Sequence, residues 1–235
     1  MKAKWSGIAI VDGRGKVGGT VMAKNRNGAY ARIKVTGVNR RTVRQQEQRS
    51  LLSYFSQGFR SLGAELIAAW NTAAANGFTS TNIFGDIIKP TGINLYTGLN
   101  LNLRTVGGTA LTSPPAQVTV QNSVACTPSV DVSSTEMLVP GETIAGLDVV
   151  PANTAWVVLA SPPLSPGVTF AGTRLRIVST FAAATDTGTT NIWNDYVDKF
   201  GVPTVGSRIV FALNAVSTTS GQSGVPISAN AIVAA

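Results

Sequence analysis

The spacing of apolar residues changes character at Thr112-Ser113-Pro114-Pro115, and this change limits the folds open to the chain. Before it, apolar residues recur three and four apart over long stretches; after it, they alternate or form short runs between Ser/Thr/Gly/Pro clusters. A proline pair favours an extended, semi-rigid spacer. The expectation is therefore an α+β domain over 1–112, built from a β-hairpin and about three helices. An all-β sandwich comes next, over 113–235, interrupted by a short helix. With 235 residues and 44% apolar content, each part can bury a core. Only 13% of residues are charged, against plentiful Gly, Thr, Ser, Asn and Ala, a mix suited to β-rich proteins that assemble.

Charge is confined to one end. Residues 1–60 hold 13 Lys and Arg against two acids, Asp12 and Glu47, whereas the remaining 175 residues hold six basic and nine acidic side chains. A basic end of this kind can neutralise nucleic-acid phosphates or meet an acidic protein surface within an assembly. Composition alone does not separate the two.

Several chemistries are excluded at the outset. The chain has no histidine and one cysteine, Cys126, so His-based triads and His/Cys metal clusters cannot form, nor can an intrachain disulfide. Cys126 is expected to be a small buried apolar residue. The opening MKAKWSGIAIVDGRG has only a four-residue apolar run, too short for a signal-peptide core, and no stretch is long enough to span a bilayer. The expected location is the cytoplasm, or a particle that leaves it. Gly13, Gly15 and Gly18 satisfy G-x-G-x-x-G, and Val21-Met22-Ala23-Lys24 resembles a kinase lysine strand. A dinucleotide site, however, needs a helix directly after the glycines, and the residues after Gly18 are strand-like. No enzyme activity, cofactor, metal or small-molecule substrate is expected.

Trp5 to Val11 reads as a short strand. From Thr20 to Thr36, Asn27-Gly28 divides two alternating runs, the strongest short-range hairpin signal, because both residues accept positive φ. On the second strand Ala29, Ala31, Ile33 and Val35 share one face, while Tyr30, Arg32 and Lys34 share the other; Lys24 and Arg26 add to the charge. Such a face either docks a partner or phosphates, or is a solvated surface whose charges guard a sheet edge. Lys24, Arg26, Tyr30, Arg32, Lys34, Arg40, Arg41, Arg44 and Arg49 are the candidate docking or phosphate-contact residues.

Thr42 with Gln45 forms a capping-box pattern opening a first helix, whose core stripe is Leu51, Phe55, Phe59 and Leu62. Gly58 within it would allow a close crossing with the next helix. That second helix is expected over about 64–75, with Trp70 in its core stripe and Asn76-Gly77 as its stop. A small hairpin around Gly85-Asp86 comes next. A third helix then runs from about Thr91 to Val106, burying Ile93, Tyr96, Leu99, Leu103 and Val106. Its other face, with Asn94, Asn100 and Asn102, is expected to meet water or a neighbouring subunit.

The succession GKVGGTVMAKNRNGAYARIKV, NRRTVRQQEQR, AAWN, IFGD and GINLYTGLNLNL ahead of a proline pair resembles a family of uncharacterised bacteriophage and prophage proteins associated with Bacteroidota. The likeness covers about residues 10–115. It implies a virion structural protein (capsid-associated, neck or tail) with copies of itself and other virion proteins as partners, located in the virion, and it supplies no catalytic residues.

Beyond Pro115, strands are expected at Val118/Val120, 146–150, 155–160, Leu175/Ile177/Phe181, Ile209/Phe211/Leu213 and 227–233. The opening SPPAQVTV and the closing pair of strands resemble a fibronectin type III or immunoglobulin-like module, which implies binding or assembly. Asn191 to Phe200 (NIWNDYVDKF) has helical spacing and is expected to plug one end of the sandwich. The leading expectation is thus a non-enzymatic virion component. The alternatives are a nucleic-acid-binding protein acting through residues 1–60 and a glycan-binding adhesin using the Trp193 cluster.

Overall fold

A computed structural model of the chain describes residues 2–4, 14–25, 28–37, 41–81, 85, 87–120, 127–140, 153–168, 171–182 and 189–235. They fall into two compact units, Met1–Ser50 with Thr79–Lys89, and Leu51–Phe78 with Pro90–Ala235. The architecture is α+β. The expected boundary at 112/113 lies inside the second unit, and the expected strands at 5–11 and 146–150, like Cys126, lie outside the described residues.

In the first unit, β1 (Lys2–Lys4), β2 (Gly15–Val17), β3 (Thr20–Asn25) and β4 (Gly28–Ile33) form an antiparallel sheet in the order β1-β4-β3-β2. The glycine-rich run makes a hairpin, with no helix after it. Val17 pairs with Thr20, leaving Gly18-Gly19 as a two-residue turn, and Gly18 takes φ +54, which a side chain would strain. The next hairpin pairs from Thr20↔Ile33 to Asn25↔Gly28. Its connecting positions are therefore 26 and 27, one residue earlier than the Asn-Gly signal suggests, and they lie outside the described residues.

Helix α1 (Val43–Ser61) starts where Thr42 Oγ1 accepts from Gln45 N at 3.4 Å, and the boundary between the two units falls within it. Helix α2 (Ala64–Asn76) stops at Gly77 as its sequence signals. Strands β5 (Ser80–Thr81) and β6 (Ile87–Ile88) make the small hairpin, and α3 (Gly92–Thr105) is capped by Thr91.

The helical core of the second unit surrounds the Tyr96 ring. Trp70 meets it edge-on at 5.2 Å, Phe59 lies at 5.5 Å, and Phe55, Leu95 and Leu99 complete the cluster. Gly58 has a packing role, since a Cβ there would come within 3.3 Å of the Tyr96 hydroxyl. The room at Gly58 is thus taken by the tip of a side chain from α3 and not, as the sequence suggests, by a close crossing with α2. Two of the three asparagines of α3 also depart from expectation. Asn100 is fully buried, donating to Tyr96 O and Leu111 O and accepting from Leu111 N; Asn102 donates to Gly221 O. Their amides satisfy backbone groups that the fold removes from water.

The remaining strands are β7 (Ser129–Asp131), β8 (Glu136–Pro140), β9 (Thr154–Ala160), β10 (Arg176–Ala182), β11 (Thr189–Asn191), β12 (Arg208–Ser217) and β13 (Ile227–Ala234), with α4 (Trp193–Phe200) between β11 and β12. They form a continuous sheet in the order β10-β9-β12-β13-β7-β8-β11, antiparallel except for β13 beside β7. Helix α4 touches both β10, at one edge, and β8, next to the other edge. The sheet must curl to allow this, and the helix fills its concave side. Trp156, Val158, Phe211, Leu213, Met137 and Val139 belong to the same core as Ile192, Trp193 and Tyr196. Val118 and Val120 are not in a strand.

Candidate docking surface

Register decides which charged positions meet. Lys16 pairs with Val21, Val21 with Arg32, and Arg32 with Lys2, a row crossing all four strands of the first sheet. One step along, Ala23 pairs with Tyr30 and Tyr30 with Lys4. Because alternate residues face opposite ways, Lys16, Val21, Ala23, Tyr30 and Arg32 share one face, and Val17, Thr20, Met22, Ala29, Ala31 and Ile33 share the other. Lys16 and Arg32 are exposed, and Tyr30 is half-buried.

The candidate residues are only partly brought together. Tyr30 and Arg32 lie on the cationic face. Lys34 comes just after the end of β4, exposed, with its N–H donating to Gly19 O at 2.7 Å. Lys24 departs from expectation: it pairs with Ala29 and so belongs to the apolar face. Arg41 is exposed just before α1, in the left-handed region at φ +41, and its carbonyl accepts from Gln46 Nε2. Arg44 and Arg49 are in the exposed first half of α1, the side chain of Arg44 being outside the described part; Arg26 and Arg40 lie outside it altogether. Sequence reasoning missed Lys16. Its signal was Gly18-Gly19, which makes residues 15–17 a strand and gives Lys16 a defined partner.

Among the residues of the first unit whose burial is described, none is buried. Val17 is 66% exposed and Ile33 56%. In the second unit, by contrast, the aromatic cluster proposed for sugar stacking is turned inward. Trp193 and Tyr196 are buried, and Asp195 and Asp198 are left at the surface. Tyr196 donates to Ser161 O at 3.0 Å. Among the described residues no three His, Cys, Asp or Glu side chains gather as metal ligands would, and no helix is long and apolar enough to cross a membrane. Comparison with family models, curated proteins and solved structures finds no match.

Proposed function

We propose that this chain is a non-enzymatic structural component of a bacteriophage particle, present in multiple copies that associate through the N-terminal sheet. One observation carries this reading: among the first unit's residues whose burial is described none is buried, although one face of its sheet presents Val17, Met22, Ala29, Ala31 and Ile33. A small sheet is stable in water only when a hydrophobic face is covered, and here copies of the chain provide the cover. The resemblance of the motif order to phage and prophage proteins suggests the setting, with other virion proteins as further partners. The curled sheet of the second unit we read as an immunoglobulin- or fibronectin-III-like module whose two layers are joined through β13.

Light scattering on the eluting protein tests association. The expected result is a defined oligomer that Ile33→Asp, a substitution at an exposed position, converts to monomers. A wild-type monomer that is also missing from purified particles would sink the proposal.

A further inference from the structure

We propose that the sheet face carrying Lys16, Tyr30 and Arg32 binds nucleic acid through its phosphate backbone, without reading base sequence. The inference deepens the assembly reading, on which it rests for taking this sheet as the attaching end, and gives the second face of the same sheet its own partner.

Between Gly13 and Gln46 the sequence has nine Lys and Arg and no Asp or Glu. Strand register then gathers part of that charge: Lys16 and Arg32 stand in one row with Val21 between them, in line with Lys2, and Lys4 is in register with Tyr30. Both Lys16 and Arg32 are exposed. An acidic protein partner is the weaker fit, because protein interfaces centre on a large apolar core depleted of Lys, and among the described side chains this face offers only Val21, Ala23 and a half-buried Tyr30 beside its cations. Cations interleaved with one aromatic suit a sugar-phosphate chain.

Size sets the mode of contact. Four strands about 4.8 Å apart span roughly 14 Å between their outer axes. Side chains widen this further, whereas the major groove is about 12 Å wide and admits a helix or a two-stranded ribbon. The sheet is therefore too broad to reach base edges and lies across the phosphates, a contact that fixes position and carries no sequence information.

The test is fluorescence anisotropy with two labelled DNA duplexes of unrelated sequence, titrated over a range of salt, with poly-glutamate of matched charge as a second ligand. Both duplexes are expected to bind alike, log K falling linearly with log salt by about 0.9 per phosphate neutralised. The double variant Lys16→Gln/Arg32→Gln flattens that slope by about 1.8 and weakens binding roughly tenfold or more at moderate salt. Arg174→Gln, at an exposed position of the second unit, leaves both unchanged. No binding at low salt, an unaltered slope in the double variant, or tighter binding of poly-glutamate than of DNA overturns the proposal. Light scattering on the same samples separates the two readings. A monomer that binds DNA with this salt response refutes assembly and leaves the phosphate site standing; an oligomer indifferent to DNA does the reverse.

Discussion

Gln222 holds Val118 as a neighbouring strand would: Val118 N donates to Gln222 Oε1 at 2.9 Å, while Gln222 Nε2 donates to Ala116 O at 2.7 Å. One side-chain amide thus replaces a pair of ladder bonds and fixes the segment after Pro114-Pro115. Upstream, Trp70 Nε1 donates to Thr112 O and Asn100 pairs with Leu111, so the proline segment is fastened on both sides within the second unit. Gln222→Ala should lower stability by about 1–2 kcal/mol and open residues 111–118 to proteolysis. Urea midpoints and mapping of the first cleavage sites check both effects.

Gly221 lies against the carbonyl of Leu99 at φ +69, and a Cβ there would overlap Leu99 O. Its own carbonyl accepts from Asn102 Nδ2 at 2.8 Å. Gly221→Ala therefore combines backbone strain with a clash against main-chain atoms that cannot move aside. The expected loss is about 3 kcal/mol or more, read from the denaturation midpoint. Gly167→Ala, where no atom lies within 4 Å of the added Cβ, is the matched control.

Burial raises the Tyr196 hydroxyl well above its ordinary pKa of 10.0. The unfolded chain ionises this group near that ordinary value, and the folded chain resists. Its contribution to stability is therefore complete below pH 10 and lost progressively as pH rises beyond it, at up to about 1.4 kcal/mol per pH unit. Tyr96 shifts in the same direction, chiefly through burial, with Tyr54 adding to it. Urea midpoints should stay level from pH 7 to 9 as far as these tyrosines govern them, then fall. In Tyr196→Phe the alkaline fall should be shallower, at a cost of about 1 kcal/mol near neutrality for the lost bond to Ser161.

Thr135 occupies the left-handed region at φ +54 in the turn joining β7 and β8, where a β-branched side chain is strained. Thr135→Gly should raise stability by about 1 kcal/mol. A lower midpoint would mean that the Thr135 hydroxyl, bonded to Ser134 O, outweighs the strain.

The helices were the most legible elements. Thr42, Thr91 and Gly77 mark termini in the sequence where the structure has them, and Trp70, Phe55 and Phe59 fall on apolar stripes because a helix repeats every 3.6 residues. The hairpin of β7 and β8 was not legible, since three- and five-residue strands are too short for alternation to stand out. Val118 and Val120 alternate as a strand does, yet a glutamine side chain takes the place of a strand partner, and no local pattern encodes that. On the docking sheet, parity alone separates Lys24 from Tyr30 and Arg32, because a two-residue turn at either candidate position pairs Lys24 with an alanine. The row from Lys16 to Arg32 spans three hairpin-linked strands, so it needs two correct registers in succession.

Strand β13 bonds to β12 on one side and to β7 on the other, and it is the last strand of its sheet to be made. Until residues 227–234 dock, β7 and β12 each keep an open edge. Closure of this sheet therefore depends on β13, and a chain in which that strand has not docked carries two sticky edges open to pairing with another chain.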